Sequence, residues 1–166
     1  MTWLTLIAMM TVQAEDRLVW PMPEGFKVGH QQTSANGSEI EERVPSGETV
    51  EDWTRMATRL VFPGTVAGSA FNTAMAQRWQ TACPGAVATP SETGPRGADI
   101  RIDCPRNPGT GKPETMFQRV LPVPGKAYIL QVAFRSMPTP EQARWAKAEL
   151  DRATLCSASS TESPCR

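Results

Sequence analysis

The sequence predicts an α+β domain: an antiparallel sheet in the order βββα-βββα, helices packed on one face, the chain stapled by disulfides. Three observations predict it. Tight-turn pairs, Asn36-Gly37 and Pro124-Gly125, each divide two extended runs and read as hairpins. Two longer stretches carry apolar residues at helical spacing. Four cysteines, none in a Cys-x-x-Cys pair, follow an apolar N-terminal run.

That run, Trp3 to Val12, is uncharged, and Val12-Gln13-Ala14 has the form of a signal-peptidase site. It falls short of the roughly 20 residues a membrane helix needs. Residues 1–14 are therefore expected to be a signal peptide, and 15–166 a single domain with a short tail at 157–166. No Lys or Arg precedes Trp3, and the segment is shorter than most signal peptides, so a buried N-terminal strand or helix is the competing reading. No cysteine follows Ala14 directly, so a lipid anchor there is not expected. Cleavage would leave no stable membrane span, and the expected location is periplasmic or secreted.

The elements follow in order. Trp20-Pro21-Met22-Pro23 is extended, because each proline biases its predecessor away from helix. Phe26 to Gln32 reads as a strand with Phe26, Val28 and His30 on one face. Ser38 to Val44 returns from the Asn-Gly turn. Its acids leave only Ile40 and Val44 for a core, which suits an exposed or edge strand. Trp53 to Phe62 fits helix or strand, and its Thr, Val and Phe content favours strand.

Gly68 to Cys83 predicts a helix with Phe71, Met75, Trp79 and Ala82 as its apolar stripe and Asn72 largely outside it. A loop rich in Pro, Gly, Ser and Thr is expected up to Gly97, then a short strand over Ala98 to Cys104. Glu114 to Leu121 and Lys126 to Arg135 form the clearest hairpin. The second of these is apolar on both faces and so is expected at the sheet centre. Thr139-Pro140-Glu141-Gln142 is a capping box opening a helix that runs to about Cys156 over Ala143, Ala146, Leu150 and Ala153.

Net charge is zero, with 17 basic and 17 acidic residues, which argues against a nucleic-acid partner. In an oxidising compartment Cys83, Cys104, Cys156 and Cys165 are disulfide partners rather than ligands or nucleophiles. Chain distance favours Cys83–Cys104 and Cys156–Cys165 among the three pairings. His30 is the only histidine and has no motif partner, so it reads as a strand residue. Gly109-Thr110-Gly111-Lys112 fails as a phosphate loop, because Arg106 stands where the first glycine belongs and Pro113 follows the lysine. Glu41-Glu42 and Glu51-Asp52 define no catalytic pair. No catalytic, cofactor-binding or metal-ligating residue is assigned, and no cofactor is expected. Trp53 and Trp145 are the candidate ligand contacts, against a packing role for each.

Glu48-Thr49-Val50-Glu51-Asp52-Trp53-Thr54-Arg55-Met56 resembles a segment of uncharacterised small exported proteins of Gram-negative bacteria. Gly111-Lys112-Pro113-Glu114, with the following hairpin and the Thr139 helix, is similar to their C-terminal half. The strand–helix order also resembles the PsbP-like α/β/α sandwich. That resemblance implies accessory and binding roles and supplies no catalytic residues to carry over. The expectation is an exported, non-enzymatic binding or envelope accessory protein, its partner an envelope protein or a small ligand. The alternative is a small periplasmic hydrolase with a carboxylate-based site.

Overall fold

The computed structural model describes residues 16–94, 97–157 and 164–165, with 91–94 as backbone only. The expected signal peptide and its cleavage site lie outside the described residues.

The fold is α+β, with a mostly antiparallel sheet, two helices and two disulfides. Among the described residues nine strands and two helices follow one another: β1 (Arg17–Val19), β2 (Phe26–Thr33), β3 (Glu39–Pro45), β4 (Arg55–Pro63), α1 (Gly68–Ala82), β5 (Val87–Gly94), β6 (Gly97–Cys104), β7 (Glu114–Val123), β8 (Lys126–Phe134), α2 (Pro140–Asp151) and β9 (Thr154–Cys156). Seven strands form one sheet in the order β2-β3-β4-β8-β7-β6-β5, and β1 pairs with β9 separately.

β8 occupies the centre, as its two apolar faces require. Tyr128, Leu130, Val132 and Phe134 point to one face, where they meet Ala146 and Leu150 of α2. Ala127 and Ile129 point to the other, where they meet Phe71 of α1. The helices therefore lie on opposite faces, which corrects the expectation of a single helical layer. A central strand that is apolar on both sides needs cover on both sides.

Four further expectations are corrected. β5 forms within the stretch read as a loop, and it zips onto β6 from Val87↔Asp103 to Gly94↔Gly97. β3 lies between β2 and β4, so β2 is the edge. β3's charges are absorbed by ion pairs: Arg43 and Glu41 lie 2.6 Å apart, and Arg59 reaches Glu41 at 3.6 Å. α2 ends at Asp151 rather than Cys156, because Thr154–Cys156 turns extended to pair with Arg17–Val19. Finally, a bulge between Val28 and His30 breaks the alternation of β2, so His30 faces Glu42 while Val28 faces Arg43.

The N-terminal segment is fastened to α2. Trp20 is buried and its indole Nε1 donates to the Glu149 carbonyl at 2.8 Å. Arg43 stacks on that ring, 5.0 Å from its centroid, and donates to the Trp20 carbonyl. The capping box forms as expected: Thr139 Oγ1 accepts from Gln142 N, and Thr139 N donates to Gln142 Oε1.

A polar cleft beside helix α1

α1 meets the sheet through its small residues. Gly68 sits so close to the sheet that a Cβ there would stand 3.0 Å from that of Ala98. One turn on, Asn72 is the buried residue of the helix, and Ala76 packs against Ile100 and Ile102. This corrects the expected stripe. Phe71 and Met75 are only half-buried, because the close approach of the small-residue stripe pushes them to the helix flank. Trp79, on the same flank, packs against the Cys83–Cys104 disulfide.

Asn72 enters the core by completing a chain of amides. Its Nδ2 donates to the Ala98 carbonyl at 3.0 Å. Gln118 Nε2 donates to Asn72 Oδ1 at 2.7 Å, and Gln131 Nε2 donates to Gln118 Oε1 at 2.7 Å. The direction of this chain is dictated at its root. A backbone carbonyl only accepts, so Asn72 must turn its NH2 toward Ala98, and each amide after it is oriented in turn. At the far end Gln131 has its Oε1 left over.

Gln131 opens onto a cleft of about 420 Å³ between α1 and strands β3, β4 and β8. Cross-strand register sets its floor: Glu42 stands opposite Thr58, and Thr58 opposite Gln131. Neighbours of this kind lie roughly 5 Å apart. Ile40, Leu60, Phe62, Phe71 and Met75 make an apolar wall, and Arg78 of α1 stands at the rim. Phe62 and Phe71 pack ring to ring at 5.7 Å. Thr58 is only 6% exposed, yet its hydroxyl makes no hydrogen bond to the described residues. The same holds for the side chains of Glu42 and Arg78.

A second cleft of about 330 Å³ shares Met75 and Arg78 and reaches Trp79, Cys83, Asn107 and Glu114. Burial raises the pKa of Glu114, against the opposing effects of the Asn107 hydrogen bond and the Arg135 charge. Asn107 Nδ2 donates to Glu114 at 2.7 Å, while its Oδ1 accepts from Gly109 N. That glycine belongs to the loop read above as a failed phosphate loop. A third cleft of about 410 Å³ lies on the opposite flank of α1 and contains Asp99.

The expected ligand contacts lie elsewhere. Trp53 is buried with Val44 and Met56, and Arg135 covers its ring at 4.4 Å. Trp145 is half-buried on the α2 face, stacked on Phe26 at 5.9 Å with Arg55 at 5.1 Å from its ring. Protein groups thus lie against both rings. His30 is exposed at the end of the row that begins with Glu42. The disulfides are Cys83–Cys104 and Cys156–Cys165, with Cα separations of 6.0 and 5.4 Å. They fit an oxidising compartment. Among the described residues no group of three His, Cys, Asp or Glu side chains is placed to hold a metal. No helix there is long and apolar enough to cross a membrane. The cleft residues escaped sequence reasoning because Glu42, Thr58 and Gln131 come from three separate strands. The one available signal was a polar residue, Gln131, inside the otherwise apolar run of β8.

The site and fold define a disulfide-stapled α+β domain with clefts along one helix. No family model matches the chain, and no curated protein matches it. A similar solved structure is that of LpqN of Mycobacterium tuberculosis, involved in cell envelope biogenesis. It shares 12% identity over 86% of this chain and 84% of that one, with a TM-score of 0.41. A likeness at that level carries no functional argument.

Proposed function

We propose that the chain is an exported, periplasmic or secreted binding module that holds a small ligand in the cleft between α1 and strands β3, β4 and β8. One observation carries this reading: the cleft sets the cross-strand polar row Glu42, Thr58 and Gln131 against an apolar wall of Leu60, Phe62 and Phe71. A concave, largely apolar site with a few convergent polar groups is the usual form of a small-molecule site. The volume of about 420 Å³ falls within the roughly 300–1,000 Å³ of small-molecule sites.

Export, with residues 1–14 removed, rests on the Val12-Gln13-Ala14 site and on the disulfides. N-terminal sequencing of the secreted chain should begin at Glu15, and retention of Trp3 in the folded product would refute cleavage.

Amide chemical-shift mapping with a library of small apolar fragments tests the binding site. Perturbations should concentrate on Leu60, Phe71 and Gln131. Perturbations gathered around Trp145, or none at all, would remove the cleft from consideration.

A further inference from the structure

The cleft holds two opposite charges that do not pair with each other. Glu42 stands in its floor and Arg78 at its rim, and neither has an ion-pair partner among the described residues. The same cleft is lined by Thr58 and Gln131, and the Gln131 amide oxygen is left over by a hydrogen-bond chain rooted at Ala98. Phe62 and Phe71 line the apolar side.

From this charge complementarity we infer that the ligand is dipolar: a short peptide or amino acid with an apolar side chain and both termini free. The inference rests on the binding site proposed above. The ligand's ammonium group would meet Glu42 and Gln131 Oε1, which offer acceptors. Its carboxylate would meet the guanidinium of Arg78, and its side chain the two phenylalanine rings. A neutral polyol would desolvate both protein charges without supplying a counter-charge to either. A ligand of one sign would satisfy one of them and be repelled by the other.

The probe is the dipeptide Leu-Phe, compared by calorimetry with its N-acetylated and its C-amidated forms. On the wild-type protein each cap should weaken binding by about tenfold or more, the loss of one charged hydrogen-bonded contact. In Glu42→Gln the cost of acetylation should vanish and that of amidation persist. In Arg78→Gln the pattern should reverse. Both side chains lack partners in the described structure, so both variants should keep the wild-type melting temperature. Capped and free peptides binding equally would overturn the dipolar ligand and leave the cleft standing. No peptide binding while apolar fragments still map to the cleft would do the same. If the fragments also miss the cleft, the binding site itself falls.

Discussion

Gln118 and Arg119 are neighbours on β7, and they tie the two helices to opposite faces of the sheet. Gln118 is fully buried and donates to Asn72 of α1. Arg119 donates to both carboxylate oxygens of Asp99 on β6, at 2.8 and 2.7 Å. It also reaches Asp151 at 2.9 Å and the Leu150 carbonyl at 3.0 Å, at the end of α2. Apolar packing brings each helix onto the sheet, but it is non-directional. These two polar side chains add directional contacts in adjacent residues of one strand.

Replacing Arg119 by Met should destabilise the fold by about 3–5 kcal/mol, because Asp99 is left half-enclosed without its counter-charge. The Asp99 hydrogen bond, opposed by burial and aided by Asp151, holds the Arg119 pKa above its ordinary value. Urea unfolding gives the measurement. The double variant with Asp99→Asn should recover part of the loss, and a recovery of zero would deny the coupling.

Replacing Gln118 by Leu should cost about 1–3 kcal/mol despite the similar size. It strands the Asn72 oxygen inside the core and removes the acceptor of Gln131 Nε2. Equal urea midpoints for variant and wild type would mean that the amide chain contributes nothing.

Glu114 makes stability pH-dependent. Burial raises its folded-state pKa above the ordinary value of 4.5, so between those two values the folded chain binds more protons than the unfolded one. Stability attributable to this group is therefore fully present below 4.5 and declines as pH rises through the folded-state pKa. Glu114→Gln keeps an oxygen for Asn107 and removes the buried charge. The variant should be the more stable at pH 7, with the gap closing in acid. Urea midpoints as a function of pH decide it, and parallel curves would contradict it.

The disulfides should contribute unequally. Cys83–Cys104 spans 21 residues and joins α1 to β6, whereas Cys156–Cys165 spans 9 and fastens the tail to β9. In the chain-entropy picture removing the first costs about 3.3 kcal/mol and the second about 2.6 kcal/mol. Paired Cys→Ser variants compared by thermal melting should show the larger loss at the first bridge. The reverse order would place the stability in the tail.

His30→Ala should change stability by less than about 0.5 kcal/mol, since the side chain is exposed on an edge strand. A larger loss in urea would show that its cross-strand position opposite Glu42 supports the β2–β3 pairing.

Much of the fold was legible because it is written in local periodicity. The two-sided apolar pattern of Tyr128 to Phe134 placed β8 at the centre. The Thr139–Gln142 capping box located the start of α2, and chain distance selected the pairing of Cys83 with Cys104. β5 was not legible. Its Pro90 and Gly94 are loop formers, and it becomes a strand only by pairing with β6. β1 and β9 were missed for the same reason: three residues of each are extended only because the other is there. Asn72 was misplaced because helical spacing marks large apolar residues as the buried face, whereas here a small-residue stripe meets the sheet.

By itself, the sequence determined where both helices and strands β2, β3, β4, β6, β7 and β8 form, which strand is doubly apolar, and which cysteines are near enough in the chain to join. Tertiary structure alone decided which face each helix covers and where the cleft opens. The reason is the range of the interactions. Alternation, capping and turn geometry act over a few residues and can be read in place. The cleft arises where Glu42, Thr58 and Gln131 fall into register across three strands, and where the short side chains of α1 leave Phe71 and Met75 beside them rather than beneath the helix. Only the assembled sheet brings those residues together.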